Sequence, residues 1–150
     1  MKTNFDQSVR DELINRIHSL DEHHQARWGK MNVYQMTLHC TLWDEWVLGT
    51  HNPVYRQKLI GKLFGKLALK KITLNNKPMK INMPAGRDFI IKEETGDLVL
   101  QKERWARRIS EYEQYFNPAF IHDFFGKMMK EQIGTLAYKH SDHHLRQFGA

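Results

Sequence analysis

Lys139-His140-Ser141-Asp142-His143-His144-Leu145-Arg146-Gln147-Phe148-Gly149 closes a segment in which Met129, Ile133, Leu136, Ala137, His140, His144 and Gln147 recur at helical spacing. At about 100° per residue, these side chains fall on roughly a third of the helix circumference. His140 and His144 therefore continue the line of the core side chains. They stand one turn apart and point the same way, which suits two ligands of one metal ion. Asp142, Glu131 and Tyr138 fall on the opposite side, where water is expected.

A His pair at this spacing is weak evidence alone, so a third ligand is needed. His39 is the candidate. It lies in an apolar segment, Val33 to Val47, flanked on the helical wheel by Met36, Trp43 and Trp46. Thr37, Thr41, Asp44 and Glu45 are expected to cover the far side. His39 is thus expected inside, where a neutral imidazole needs a partner. A metal shared by His39, His140 and His144 would satisfy all three imidazoles at once.

The rest of the chain supplies the helices that would enclose such a site. Phe5, Val9, Leu13, Ile17 and Leu20 predict a first helix over 5–25, ending in the polar run Asp21-Glu22-His23-His24-Gln25. His23 and His24 are expected in solvent, because adjacent helical side chains diverge. Asn32 reads as the N-cap of the second helix, with Gln35 as its capping-box partner and Gly49 as its stop. Gln35 also precedes His39 by one turn, so it either caps the helix or lines the metal pocket. Leu98, Trp105, Ile109, Tyr112 and Phe116 predict a third core helix over 97–116, and the histidine pair sits on the fourth. His122 lies in the connector between them and reads as structural or solvated. Four apolar-faced helices with one long crossover between the second and third predict an all-α four-helix bundle, one domain over 1–150.

That crossover is distinctive. Arg56 to Lys80 holds eight Lys or Arg residues and no Asp or Glu, whereas the whole chain has a net charge of +6. Leu59, Ile60, Leu63, Phe64 and Leu67 form an apolar stripe beside Lys58, Lys62, Lys66 and Lys70. Gly61 and Gly65 weaken this helix but leave it a smooth face. Such a segment can bind membranes, calmodulin-like partners or nucleic acid. The favoured reading is plainer: the stripe lies on the bundle with its lysines in water. In a third reading the lysines draw an anionic substrate to a nearby pocket. Residues 73–97 are irregular, punctuated by Asn75-Asn76, Pro78, Pro84, Gly86 and Gly96.

Composition narrows the function classes. Hydrophobic residues at 41% and charged residues at 27% are ordinary for a globular domain. No apolar run approaches the roughly 18 residues of a membrane span. The N-terminus lacks the apolar core of a signal peptide, and the single Cys40 allows no internal disulfide, so a cytoplasmic protein is expected. There is no phosphate loop, zinc-finger cysteine set or DNA-reading module, and specific nucleic-acid binding is not expected.

With the histidines placed, the chain resembles the DinB-like superfamily of four-helix bundles, close to its YfiT-type metal-dependent hydrolases. Trp28-Gly29-Lys30-Met31 through Gln35-Met36 to His39 is similar to the family's second-helix pattern. His140-Ser141-Asp142-His143-His144-Leu145-Arg146-Gln147 is similar to its last-helix pattern, and the Phe148-Gly149 ending to an uncharacterised branch. The resemblance implies a divalent metal, nickel or zinc, held by His39, His140 and His144, with His143 outside the ligand set. It also implies chemistry of the kind that superfamily carries out: hydrolysis, or transfer of a low-molecular-weight thiol to an electrophile. The alternative is a non-enzymatic metal-binding or stress-related bundle whose basic segment meets an anionic partner. On the enzyme reading Trp43 and Trp46 would wall the pocket, Gln35 or Gln147 would orient the ligands, and the substrate would be a small thiol or anionic compound. A homodimer through one bundle face is expected on general grounds.

Overall fold

The computed structural model describes residues 1–50, 52–81 and 89–150. Among them the chain is all-α: α1 Gln7–Ser19, α2 Val33–Leu48, α3 Leu59–Ile72, α4 Leu98–Glu111 and α5 Lys130–Phe148, with a 3-10 turn at Tyr112–Gln114. α4 and α5 each pack on both α1 and α2, which makes a four-helix core with α3 carried in the crossover. No helix of the described residues is long and apolar enough to cross a membrane.

The helix ends follow local chemistry. The capping box of α2 forms as expected: Gln35 N–H donates to Asn32 Oδ1 at 2.8 Å and Asn32 N–H to Gln35 Oε1 at 3.0 Å. Gly49 then ends the helix at φ 83°, a left-handed conformation that favours glycine. Asp97 caps α4 by accepting from Leu100 N–H. α1 is shorter than expected. Leu20 turns extended, and the Asp21 carboxylate accepts from His23 N–H, a local bond that competes with continuing the helix. α4 also stops early, at Glu111, and Phe116 is 84% exposed, so it does not belong to the apolar stripe.

α2 is buried on both sides, and the polar residues expected on its far side are covered too. Thr37, Thr41, Asp44 and Glu45 are all buried; the Thr37 hydroxyl donates to the Tyr34 carbonyl of its own helix, and α4 with the turn after it brings matching polar groups to the other three. Gln101 Nε2 donates to Thr41 Oγ1 at 2.7 Å. Trp105 Nε1 and the Tyr112 hydroxyl donate to the two oxygens of Asp44, at 3.0 and 2.7 Å. Arg104 and Arg108 both bind Glu45. Burial pushes Asp44 up to about 7, although the two donors favour its carboxylate. The opposite side of α2 is then free to face α5.

α3 lies the other way round from the favoured expectation. Its buried residues are Gly61, Gly65 and Leu69, whereas Leu59, Ile60, Leu63, Phe64 and Leu67 are exposed. The glycines decide this. A Cβ at Gly61 or Gly65 would come within 2.3 or 2.1 Å of the Phe124 carbonyl oxygen, so the helix backbone itself rests on the 124–125 chain. Both ends are fastened. Lys58 N–H donates to Asp123 O at 2.7 Å, and the buried Lys139 of α5 donates from Nζ to the carbonyls of Ile72, Asn75 and Lys77.

Candidate metal centre

α2 contributes His39 and α5 contributes His140 and His144, and the three rings meet inside the bundle. Their centroids are 5.2 Å apart for His39 and His140, and 4.8 Å for each of the other two pairs. One ring nitrogen from each lies within 4.8 Å of the others. The Nε2 atoms of His39 and His140 are 3.2 Å apart. Two nitrogens bound tetrahedrally at about 2.0 Å to one ion would be separated by about 3.3 Å.

The partners of the other nitrogens fix which atoms face inward. His39 Nδ1 lies 2.8 Å from the Phe89 carbonyl oxygen. A carbonyl only accepts, so Nδ1 carries the proton and Nε2 presents its lone pair. His144 Nδ1 lies 2.8 Å from Gln147 Oε1, and Gln147 Nε2 donates to the Trp28 carbonyl at 2.6 Å. That second bond orients the amide, so His144 also carries its proton on Nδ1 and turns Nε2 to the cluster. His140 stacks on Trp43, with centroids 4.2 Å apart and planes 22° from parallel, and its Nδ1 is buried without a described hydrogen-bond partner. In metal-free protein His140 Nε2–H can donate to His39 Nε2. A cation would instead receive both lone pairs.

Over residues 2–150 the chain matches the model of a protein family of unknown function, DUF1569. It belongs to that family. No curated protein and no solved structure matches it.

The donor set of this DUF1569 member suits a metal ion, because three neutral imidazoles can hold a divalent cation. Burial lowers the pKa of His39, against the Phe89 carbonyl. Burial, then the neighbouring imidazoles, holds His140 well below its ordinary value and pushes His144 down to about 3. All three are therefore neutral at pH 7. Below an unfolded value of about 6.5 the unfolded chain binds protons that the folded cluster refuses, so these groups withdraw stability as pH falls. The raised Asp44 acts in the opposite sense, adding stability as pH falls from about 7. A difference measurement separates them: in chelator-treated protein, thermal stability should drop more steeply from pH 6.5 to pH 4 in the parent than in His144→Gln. Equal slopes would mean that His144 titrates normally.

The other sequence candidates take supporting or unrelated places. Gln35 is a cap, reaching the Ile91 carbonyl at 3.5 Å and not the cluster. Gln147 positions His144. Trp43 walls the cluster at His140, and Trp46 stands behind it among Phe89, Phe120, Tyr55 and His122. His143 faces Trp28 and lies outside the cluster. His122 Nδ1 accepts from the Phe124 and Phe125 N–H groups, a structural role. Sequence reasoning missed the carbonyls of Phe89 and Trp28. A backbone acceptor leaves no mark in residue type, although Gly29 beside Trp28 does leave one. It has φ 84°, and a Cβ there would come within 2.6 Å of Gln147 Nε2.

Proposed function

We propose that the protein is a divalent-metal-dependent enzyme whose His39, His140 and His144 hold one ion, nickel or zinc, with a coordination position left for a small substrate. The observation that carries this reading is the convergence of three neutral imidazoles from two helices, two of them oriented by dedicated acceptors. The resemblance to the DinB-like superfamily supports the finer statement, that the reaction is hydrolysis or transfer of a low-molecular-weight thiol.

A bound divalent ion supplies Lewis acidity and lowers the pKa of a water or thiol toward neutrality. The chain's own residues provide the frame. The Phe89 carbonyl and Gln147 hold His39 and His144 at fixed tautomer and ring angle, which keeps both Nε2 lone pairs aimed at one point. Trp43 seals the His140 side against water. Cys40 is not the nucleophile, because it is fully buried and burial raises its thiol well above the ordinary value. The thiol would come from the substrate.

The test is turnover by metal-loaded protein. Loss of a free low-molecular-weight thiol in the presence of a panel of electrophiles, or hydrolysis of a panel of esters and amides, is expected to require the metal and to vanish in His140→Ala. Metal-loaded protein with no metal-dependent turnover in either panel would overturn the enzyme reading and leave the metal centre standing.

A further inference from the structure

Among the described residues nothing covers the outward face of α3, and its chemistry is specific. Among the described residues, eight of the fourteen exposed large hydrophobic side chains fall between Val54 and Ile81. That is a patch, not scatter. Leu59, Leu63, Leu67, Ile60 and Phe64 span an arc of about 140° at helical spacing, its centre about 170° from the centre of the buried Gly61, Gly65 and Leu69. The glycine seat therefore aims the apolar arc straight outward. Lys62, Lys66 and Lys70 run along one border of the arc and Lys71 along the other; all four are exposed, and no acidic residue occurs from 56 to 80.

We propose that α3 is a membrane-surface helix, which docks the protein on an anionic lipid bilayer with the arc of Leu59, Ile60, Leu63, Phe64 and Leu67 in the acyl boundary and the lysines at the phosphate level. A basic amphipathic helix lying in the interface has this composition, and long lysine stems reach from an apolar level to the headgroups. Charge decides against a second copy on the same face, since two lysine borders would meet with no acidic residue between them. The apolar arc decides against nucleic acid, whose phosphate backbone would leave these side chains in water. The buried side of α3 joins the site: Leu69 shares a cluster with Trp43, which stacks on His140. The proposal does not depend on the metal reading.

The experiment is co-sedimentation of the full chain with phosphatidylserine-rich vesicles and with pure phosphatidylcholine vesicles. Binding is expected only to the former. Lys62→Gln/Lys66→Gln/Lys70→Gln should weaken it about 100-fold, at roughly fivefold for each lysine near an anionic surface. Leu63→Ser/Leu67→Ser should weaken it at least about tenfold, from the apolar area no longer buried. Both leucines are more than 70% exposed, so unchanged melting of that variant shows the fold intact. Vesicle binding unaffected by the leucine pair would overturn the proposal. So would no binding to either vesicle, a dimer in solution abolished by the same leucine pair, or duplex DNA binding that the leucine pair leaves intact and the lysine variant removes.

Discussion

Untagged protein is expected to carry about one divalent metal ion per chain by elemental analysis, and His144→Ala to lose most of it. Removing one of three ligands leaves two imidazoles, and it also takes from Gln147 Oε1 the His144 Nδ1–H that it accepts. Gln147→Leu is the finer probe. It keeps all three ligands but frees the His144 ring, and loss of such an orienting partner costs about 10–100-fold in metal affinity. His23→Ala/His24→Ala is the control, because both residues lie in the turn after α1, outside the cluster. Full metal content in a His39→Ala/His140→Ala double variant would refute the centre.

Asp44→Ala is expected to destabilise the fold by about 2–6 kcal/mol, since each buried donor left without an acceptor costs about 1–3 kcal/mol. The donors are Trp105 Nε1 and the Tyr112 hydroxyl, both on side chains with no exposure. Such a loss is comparable to the whole stability of many domains. Asp44→Asn should be far milder. An amide has the shape of the protonated acid, it keeps one oxygen for Trp105, and Tyr112 can reverse its hydroxyl to accept. Urea unfolding of the two variants against the parent measures both effects. An Asp44→Ala protein as stable as the parent would show that water can serve these donors as well as the Asp44 carboxylate of α2 does.

Much of the core was legible because its signals are local. His39, His140 and His144 lie on apolar faces at helical spacing, and Asn32, Gln35 and Gly49 mark the ends of α2 through bonds a few residues long. The far face of α2 was not legible. Thr41, Asp44 and Glu45 find their partners on α4 and in the turn after it, about 60 residues away, and a polar residue with a distant polar partner looks the same in sequence as one in water. α3 misled for a different reason. Its largest apolar stripe reads as the inward one, but the contact is made by two glycines whose lack of a side chain lets backbone meet backbone. The acceptor for His39 was beyond reach, because any residue at position 89 would offer the same carbonyl.

Lys139 ties two of these observations together. Its ammonium is caught by three carbonyls at and beyond the end of α3, and the next residue along α5 is His140. The crossover helix and the histidine cluster therefore share a mechanical tether. α3 cannot swing away from the bundle without either breaking that three-way clasp or pulling on the very turn that sets where His140 stands.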